Sequence, residues 1–413
     1  MSGGAYYQKG FGLKPEIQED LARDYHSGLV QHLRAHDHRI AAGGMTLLLA
    51  KELGFCYGVD RAVEYAYETR RKFPDRAIHI TGEIIHNPHV NRRLQEMGIR
   101  FLSSRPSEPK AFEAVGPEDV VILPAFGVTV EELERLRAAG CVLVDTTCGS
   151  VLNVWKNVER YARDGFTSVI HGKFDHEETR ATASRATRSP AGHYLVVRDL
   201  EEAEWVARYI EAGASAEEFR RRFGGACSQG FDPERHLGRI GLANQTTMLS
   251  SESMAIGERL RQAMERRYGG AALAEHYRAF DTICSATQER QDAVSDLIRE
   301  PLDLMLVVGG YNSSNTGHLA EMPAAAGIPT YHIDDAACIL GPDRIRHQPV
   351  GARAETETAG WLAAGEAVIG LTAGASTPNN KIGETIVRIC DAAGLAANRS
   401  SQSARIASHS ASS

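Results

Sequence analysis

The chain has 413 residues, 43% of them hydrophobic and 24% charged, with a formal net charge of -7. That length supports two or three domains, and an acid excess with scattered arginines argues against a nucleic-acid surface as the main function. No stretch approaches the roughly 18 apolar residues of a membrane span, and seven cysteines are too few and too odd in number for a secreted disulfide framework.

The start, MSGGAYYQKGFGLKPEIQED, lacks the apolar core of an export signal, so a cytoplasmic protein with no membrane partner is expected. Some of its cysteines are then free for metal binding or catalysis. Residues 1 to about 44 are polar, carry one helical pattern (IQEDLARDYHSGLVQHLR) and are expected to lie outside the core.

The first strongly marked element is GFCYGVDRAVEYAYE (54–68), a turn running into a helix with Val59, Val63 and Ala66 on one face. Cys56 therefore precedes a helix N-terminus, where the macrodipole favours the thiolate that ligates metal. GEIIHNPHVNRRLQEMG (82–98) puts His86 at the end of an apolar run, with Asn87 as helix cap and Pro88 in the first turn.

VVILPAFG (120–127) is a strand followed by a Gly turn, and VDTTCGS (144–150) brings Cys148 to the start of another amphipathic helix. Its apolar face carries Val151, Val154, Trp155, Val158 and Ala162, and it ends at Gly165. TSVIHG (167–172) leads into HGKFDHEETRATAS, which places His176, Glu177 and Glu178 behind a strand.

NQTTMLS (244–250) offers Thr246 and Thr247 in a turn, and FDTICSA (280–286) repeats the Asp-Thr-x-Cys-small pattern around Cys284. The chain closes with LMLVVGGYNSSN (304–315), AVIGLTAGAS (367–376) and a Ser-rich tail expected to be disordered.

Continuous apolar runs alternating with helices indicate α/β architecture with parallel sheets covered on both faces. In such sheets ligands sit beyond the carboxyl ends of the strands, where turns and helix N-termini offer N–H groups to anions. His86, His176, NSSN and TAGAS together read as a cradle for a diphosphate. Cys56, Cys148 and Cys284 share one setting, whereas Cys141, Cys227, Cys338 and Cys390 read as buried or incidental thiols. No Cys-x-x-Cys pair occurs, so the usual zinc-ribbon and ferredoxin signatures are absent, and three ligands would leave one metal position open.

In order, GFCYGVDRA, GEIIHNP, DTTC, HEET, NQTT, DTICSATQERQ, NSSN and TAGAST resemble the LytB (IspH) family of 4-hydroxy-3-methylbut-2-enyl diphosphate reductases, over about residues 46–395. That family makes isoprenoid precursors in the last step of the methylerythritol phosphate pathway. The resemblance implies a 4Fe-4S cluster on Cys56, Cys148 and Cys284, with a fourth iron that lacks a protein ligand and takes the substrate hydroxyl. It also implies diphosphate binding by His86, His176, Ser313, Ser314, Asn315 and Ser376, with Thr246 and Glu178 near the hydroxyl and the proton path.

The implied fold is a trefoil of three α/β subdomains around the cluster. Boundaries are expected at 1–45 for an N-terminal extension, 46–147, 148–282 with an insertion around 185–240, 283–397, and a tail at 398–413. The implied electron donor is of the ferredoxin or flavodoxin kind, and the implied assembly is a monomer or homodimer.

Two positions depart from the family pattern. Phe126 stands where many bacterial members have a histidine, as in the longer plant and cyanobacterial subgroup, and Gly149 stands where a proline often follows the second cysteine. Two other readings remain open on residues alone: a three-cysteine dehydratase like quinolinate synthase, and an iron–sulfur redox sensor. A sensor needs neither a proton-donating carboxylate nor hydroxyl-rich anion turns.

Overall fold

Strands such as Val120–Leu123, Thr167–His171 and Leu304–Val308 are buried at every position, the first and last of them apolar on both faces. A strand of that kind is stable only within a sheet that helices cover on both sides. The computed structural model describes residues 4–394 apart from 43, 104–108, 214, 281 and 363–366, and it arranges the strands in three main sheets. The tail at 398–413 lies outside the described residues. No described helix is long and apolar enough to cross a membrane.

The described residues form two compact units. The first, within Met1–Gln18 and Tyr57–Gln288, holds two parallel sheets. One runs Tyr6–Tyr7, Val142–Asp145, Val120–Leu123, Ile78–Ile80, Ile99–Phe101 across its width. The other runs Tyr277–Ala279, Ile240–Asn244, Thr167–His171, Tyr194–Val197.

The second unit, within Glu19–Cys56 and Glu289–Ser413, holds a sheet ordered Thr330–Ile333, Leu304–Val308, Ala367–Ala373, Met45–Leu49, Arg39–Ala42. It is parallel except at the last edge, and a small antiparallel hairpin, Arg344–His347 with Thr356–Ala359, accompanies it.

One plan recurs in all three sheets. A first strand (Ile78–Ile80, Thr167–His171 or Leu304–Val308) is flanked on one side by the strand that follows it and on the other by a third strand (Val120–Leu123, Ile240–Asn244 or Ala367–Ala373). A fourth strand lies beyond the third: Val142–Asp145, Tyr277–Ala279 or Met45–Leu49. The order reverses between first and third strands, so their loops open the crevice where α/β sheets bind ligands.

The polar N-terminal segment does not lie outside the core, contrary to expectation. Val30 and Leu33 are buried against Leu47, Leu306 and Ile386, Arg39–Ala42 completes a sheet, and Tyr6–Tyr7 adds a strand to another. Its polarity belongs to the outer faces of short amphipathic helices, whose few inward residues carry the packing. The segment around 185–240 likewise contributes the strand Tyr194–Val197 and the buried rings of Phe219 and Phe223.

Gly127 shows how tightly a site loop is built. Its φ is +77°, and a β-carbon there would lie 2.3 Å from the ring of Trp155, on the helix that follows Cys148. Gly127→Ala is expected to destabilise the fold by about 2–4 kcal/mol, combining left-handed strain with overpacking. A lower denaturant midpoint checks this; an unchanged midpoint contradicts it.

Candidate functional site

Each cysteine of the trio follows the fourth strand of its sheet, and each backbone N–H donates to the loop after the third strand. Cys148 N–H reaches the Ala125 carbonyl at 2.9 Å, Cys284 N–H the Thr246 carbonyl at 3.3 Å, and Cys56 N–H the Ala375 carbonyl at 3.1 Å. Three loops built alike place three thiols alike, each immediately before a helix: Gly149–Arg163, Ser285–Leu297 and Tyr57–Lys72.

These three thiols are partly exposed, whereas Cys141 and Cys338 are buried and Cys227 and Cys390 are partly exposed at unrelated positions. Cys284 Sγ lies 3.3 Å from the donating Thr287 N–H and 3.0 Å from the Thr287 hydroxyl, contacts that favour a thiolate. Cys148 and Cys284 belong to the first unit and Cys56 to the second. No group of three His, Cys, Asp or Glu among the described residues is placed to hold a single metal ion. A four-iron cluster asks for something else, since each thiolate ligates its own iron.

The other expected site residues sit on the loops that follow first and third strands or at the starts of the helices behind them. In the first unit these are His86, His176, Glu178 and Thr246. His86 is stacked on Phe126 with ring centroids 4.2 Å apart, and its Nε2 lies 3.1 Å from His176 Nε2. His176 Nδ1 accepts the Glu178 N–H at 3.1 Å and so caps its own helix, which assigns the proton to Nε2. His86 Nδ1 faces Glu83 at 2.8 Å. Burial, with His86 and Lys173 adding to it, pushes His176 well below its ordinary value, so this ring is neutral at pH 7.

Glu178 is 1% exposed, and its carboxylate accepts the Thr246 N–H at 2.6 Å and the Thr246 hydroxyl at 3.1 Å. Burial raises its carboxyl to about 7, outweighing the opposite pull of both Thr246 bonds. A carboxyl at that value both holds and releases a proton near neutrality. Glu177, next to it, is also raised by burial.

In the second unit Ser313, Ser314 and Asn315 open the helix after Leu304–Val308, and Ser376 lies on the loop after Ala367–Ala373. All four are nearly buried. Asn315 Oδ1 accepts the Ala375 N–H at 2.9 Å, tying these two loops together, while its buried Nδ2 has no hydrogen-bond partner among the described residues. A buried unpaired amide donor at a helix start is a place for an anion.

Sequence reasoning missed Glu83, whose only sequence signal is an acid three residues before His86. It also missed Arg61 and Arg290, which lie inside quoted motifs but bond to distant carbonyls.

Residues 47–390 match the family described as LytB protein. The 4-hydroxy-3-methylbut-2-enyl diphosphate reductase of Gloeobacter violaceus is 51% identical, over 96% of this chain and 94% of its own. The enzyme of the same name from a Synechococcus species is 50% identical over 94% and 95%. In fold, the chain is similar to a solved structure of the E-1-hydroxy-2-methyl-but-2-enyl-4-diphosphate reductase from Plasmodium falciparum, with a TM-score of 0.60, 20% identity, and coverage of 83% of this chain and 87% of that one. With such relatives sharing nearly its whole length and the family match running from its first long strand to its last helix, the chain belongs to the LytB family.

Proposed function

We propose that this chain reduces 4-hydroxy-3-methylbut-2-enyl diphosphate to isopentenyl and dimethylallyl diphosphate. The observation that carries the reading, within this family, is a buried carboxyl poised near neutrality, Glu178, hydrogen-bonded to Thr246 and next to His176. A redox sensor has no use for that pair.

The balance is two electrons and two protons in, one C–O bond broken, and one water out. The allylic hydroxyl is a poor leaving group and needs a proton as it departs. Glu178 supplies it, with the Thr246 hydroxyl relaying between carboxyl and substrate. The second proton goes to either end of the allylic fragment, giving the two products. His86, His176, Ser313, Ser314, Asn315 and Ser376 bind the diphosphate, whose oxygens take the His176 Nε2–H in place of His86 Nε2.

Cys56, Cys148 and Cys284 would hold the 4Fe-4S cluster, which supplies single electrons and Lewis acidity. The like-built loops and partly exposed thiols fit that group. The shared strand order of the three sheets supports a trefoil of three subdomains, with Cys148 and Cys284 near the changes of subdomain. A small electron-transfer protein such as ferredoxin or flavodoxin would deliver the electrons in the cytoplasm to a monomer or homodimer.

The test is anaerobic turnover with a chemical reductant, where both products are expected from the substrate and recovery of substrate unchanged would refute the reading. A further expectation concerns the diphosphate. His86→Ala and Asn315→Ala should each weaken binding of free diphosphate roughly ten- to a hundredfold, as the loss of about 1.5–3 kcal/mol from a charge-assisted bond requires. Calorimetry showing unchanged affinity removes the residue from the cradle.

A further inference from the structure

We propose that Arg61 and Arg290 are positioning residues that hold two of the cysteine loops in ligating shape. Each reaches from the helix after one cysteine to the residues just before another. The proposal rests on the reading that the cysteines carry a cluster.

Arg61 lies in the second turn of Tyr57–Lys72, the helix after Cys56, and its Nη2 donates to the carbonyls of Thr147 at 2.6 Å and Thr146 at 3.4 Å. Arg290 lies on Ser285–Leu297, the helix after Cys284, and is 3% exposed. It donates to the Gly54 carbonyl through Nε at 3.2 Å and Nη2 at 2.7 Å, and to the Phe55 carbonyl at 3.2 Å. The same two positions are gathered in both loops: the residues one and two before Cys148, and one and two before Cys56.

These carbonyls belong to loops, outside any strand or helix ladder, so each needs a partner from elsewhere. A guanidinium suits the task because its planar fork bonds two acceptors at once and stays charged. It fixes the backbone from which the thiol projects and sets a positive charge against the two residues that precede the ligating cysteine. Arg259 offers a contrast, since it bonds the carboxylates of Glu204 and Glu211, both on the neighbouring helix Leu200–Ala212, and reaches no cysteine loop.

The experiment compares anaerobically purified holoprotein carrying Arg290→Met, Arg290→Lys, Arg61→Met or the control Arg259→Met. Iron and sulfide content, reduction potential, rate of cluster loss to a chelator and thermal midpoint are read together. Arg290→Met and Arg61→Met are expected to lose the cluster about ten- to a hundredfold faster, the span of a lost bond to a charged group, with a more negative potential. Arg290→Lys should recover the potential, because the charge remains, but only part of the retention. Arg259→Met should lower the midpoint and leave the cluster alone.

Wild-type cluster loss and potential in both methionine variants overturn the proposal, as do losses that merely track the thermal midpoint as in Arg259→Met. If Arg290→Met yields no folded protein, Arg61→Met, only half-buried, decides. Wild-type protein without iron overturns the cluster reading and the clamp with it, whereas iron-bearing wild type with indifferent arginine variants overturns the clamp alone.

Discussion

Cys56→Ser, Cys148→Ser and Cys284→Ser are each expected to lose most of the bound iron and to reduce turnover by well over about 10²-fold, since even the loss of an outer partner of a metal ligand reaches that range. Serine keeps the shape but replaces a soft thiolate with a hydroxyl that stays protonated and binds iron poorly. Cys141→Ser is the sharpest control, because burial pushes that thiol up to about 11 and removes the thiolate that a metal requires. Cys338→Ser, also buried, and Cys227→Ser, whose thiol burial likewise raises, should keep full iron. An intact, active cluster in any of the first three variants would remove that cysteine from the ligand set.

Glu178→Gln is expected to lower turnover by about 10² to 10⁴-fold, the usual contribution of a general acid. Glutamine keeps the size and one acceptor for the Thr246 N–H but has no carboxyl proton to give, so substrate should still bind. Glu177→Gln is the mild control. The sign of the pH dependence follows from the raised value: Glu178 keeps its proton below about pH 7 and loses it above. Wild-type turnover should therefore fall on the alkaline side of about 7, and Glu178→Gln should flatten that limb. The same shift means that the protonated carboxyl stabilises the fold, fully so below the ordinary 4.5, and that this stability is lost as pH rises through about 7. Single-turnover rates with a chemical reductant check the acid role; a near wild-type rate in Glu178→Gln would give the proton to another group.

Much of this was legible in the chain because helix starts and buried strands leave local signals. Asn87 with Pro88 marks a cap that the structure contains, with the Asn87 side chain accepting the N–H groups of His89 and Val90. The echo of VDTTCGS in FDTICSA reports equivalent loops after equivalent strands. The third loop, at Cys56, carries no such echo; its strand, Met45–Leu49, lies far along the chain from Leu304–Val308 and Ala367–Ala373 and joins them by pairing with Ala367–Ala373. The burial of Val30 and Leu33 was hidden by the polar outer faces of their helix. Glu83, Arg61 and Arg290 were missed for a related reason: what they do is fixed by which group the fold sets opposite them, and a hydrogen bond from Arg290 to Gly54 has no periodicity to read.

The most direct measurement of the central claim is Mössbauer spectroscopy of the anaerobically isolated protein, labelled with ⁵⁷Fe, with and without 4-hydroxy-3-methylbut-2-enyl diphosphate. Three thiolates on a four-iron cluster leave one iron unlike the rest. The expected spectrum therefore contains a distinct minority iron site that changes when substrate is added, while the majority signal stays put. A spectrum whose irons are all alike and indifferent to substrate would contradict the account.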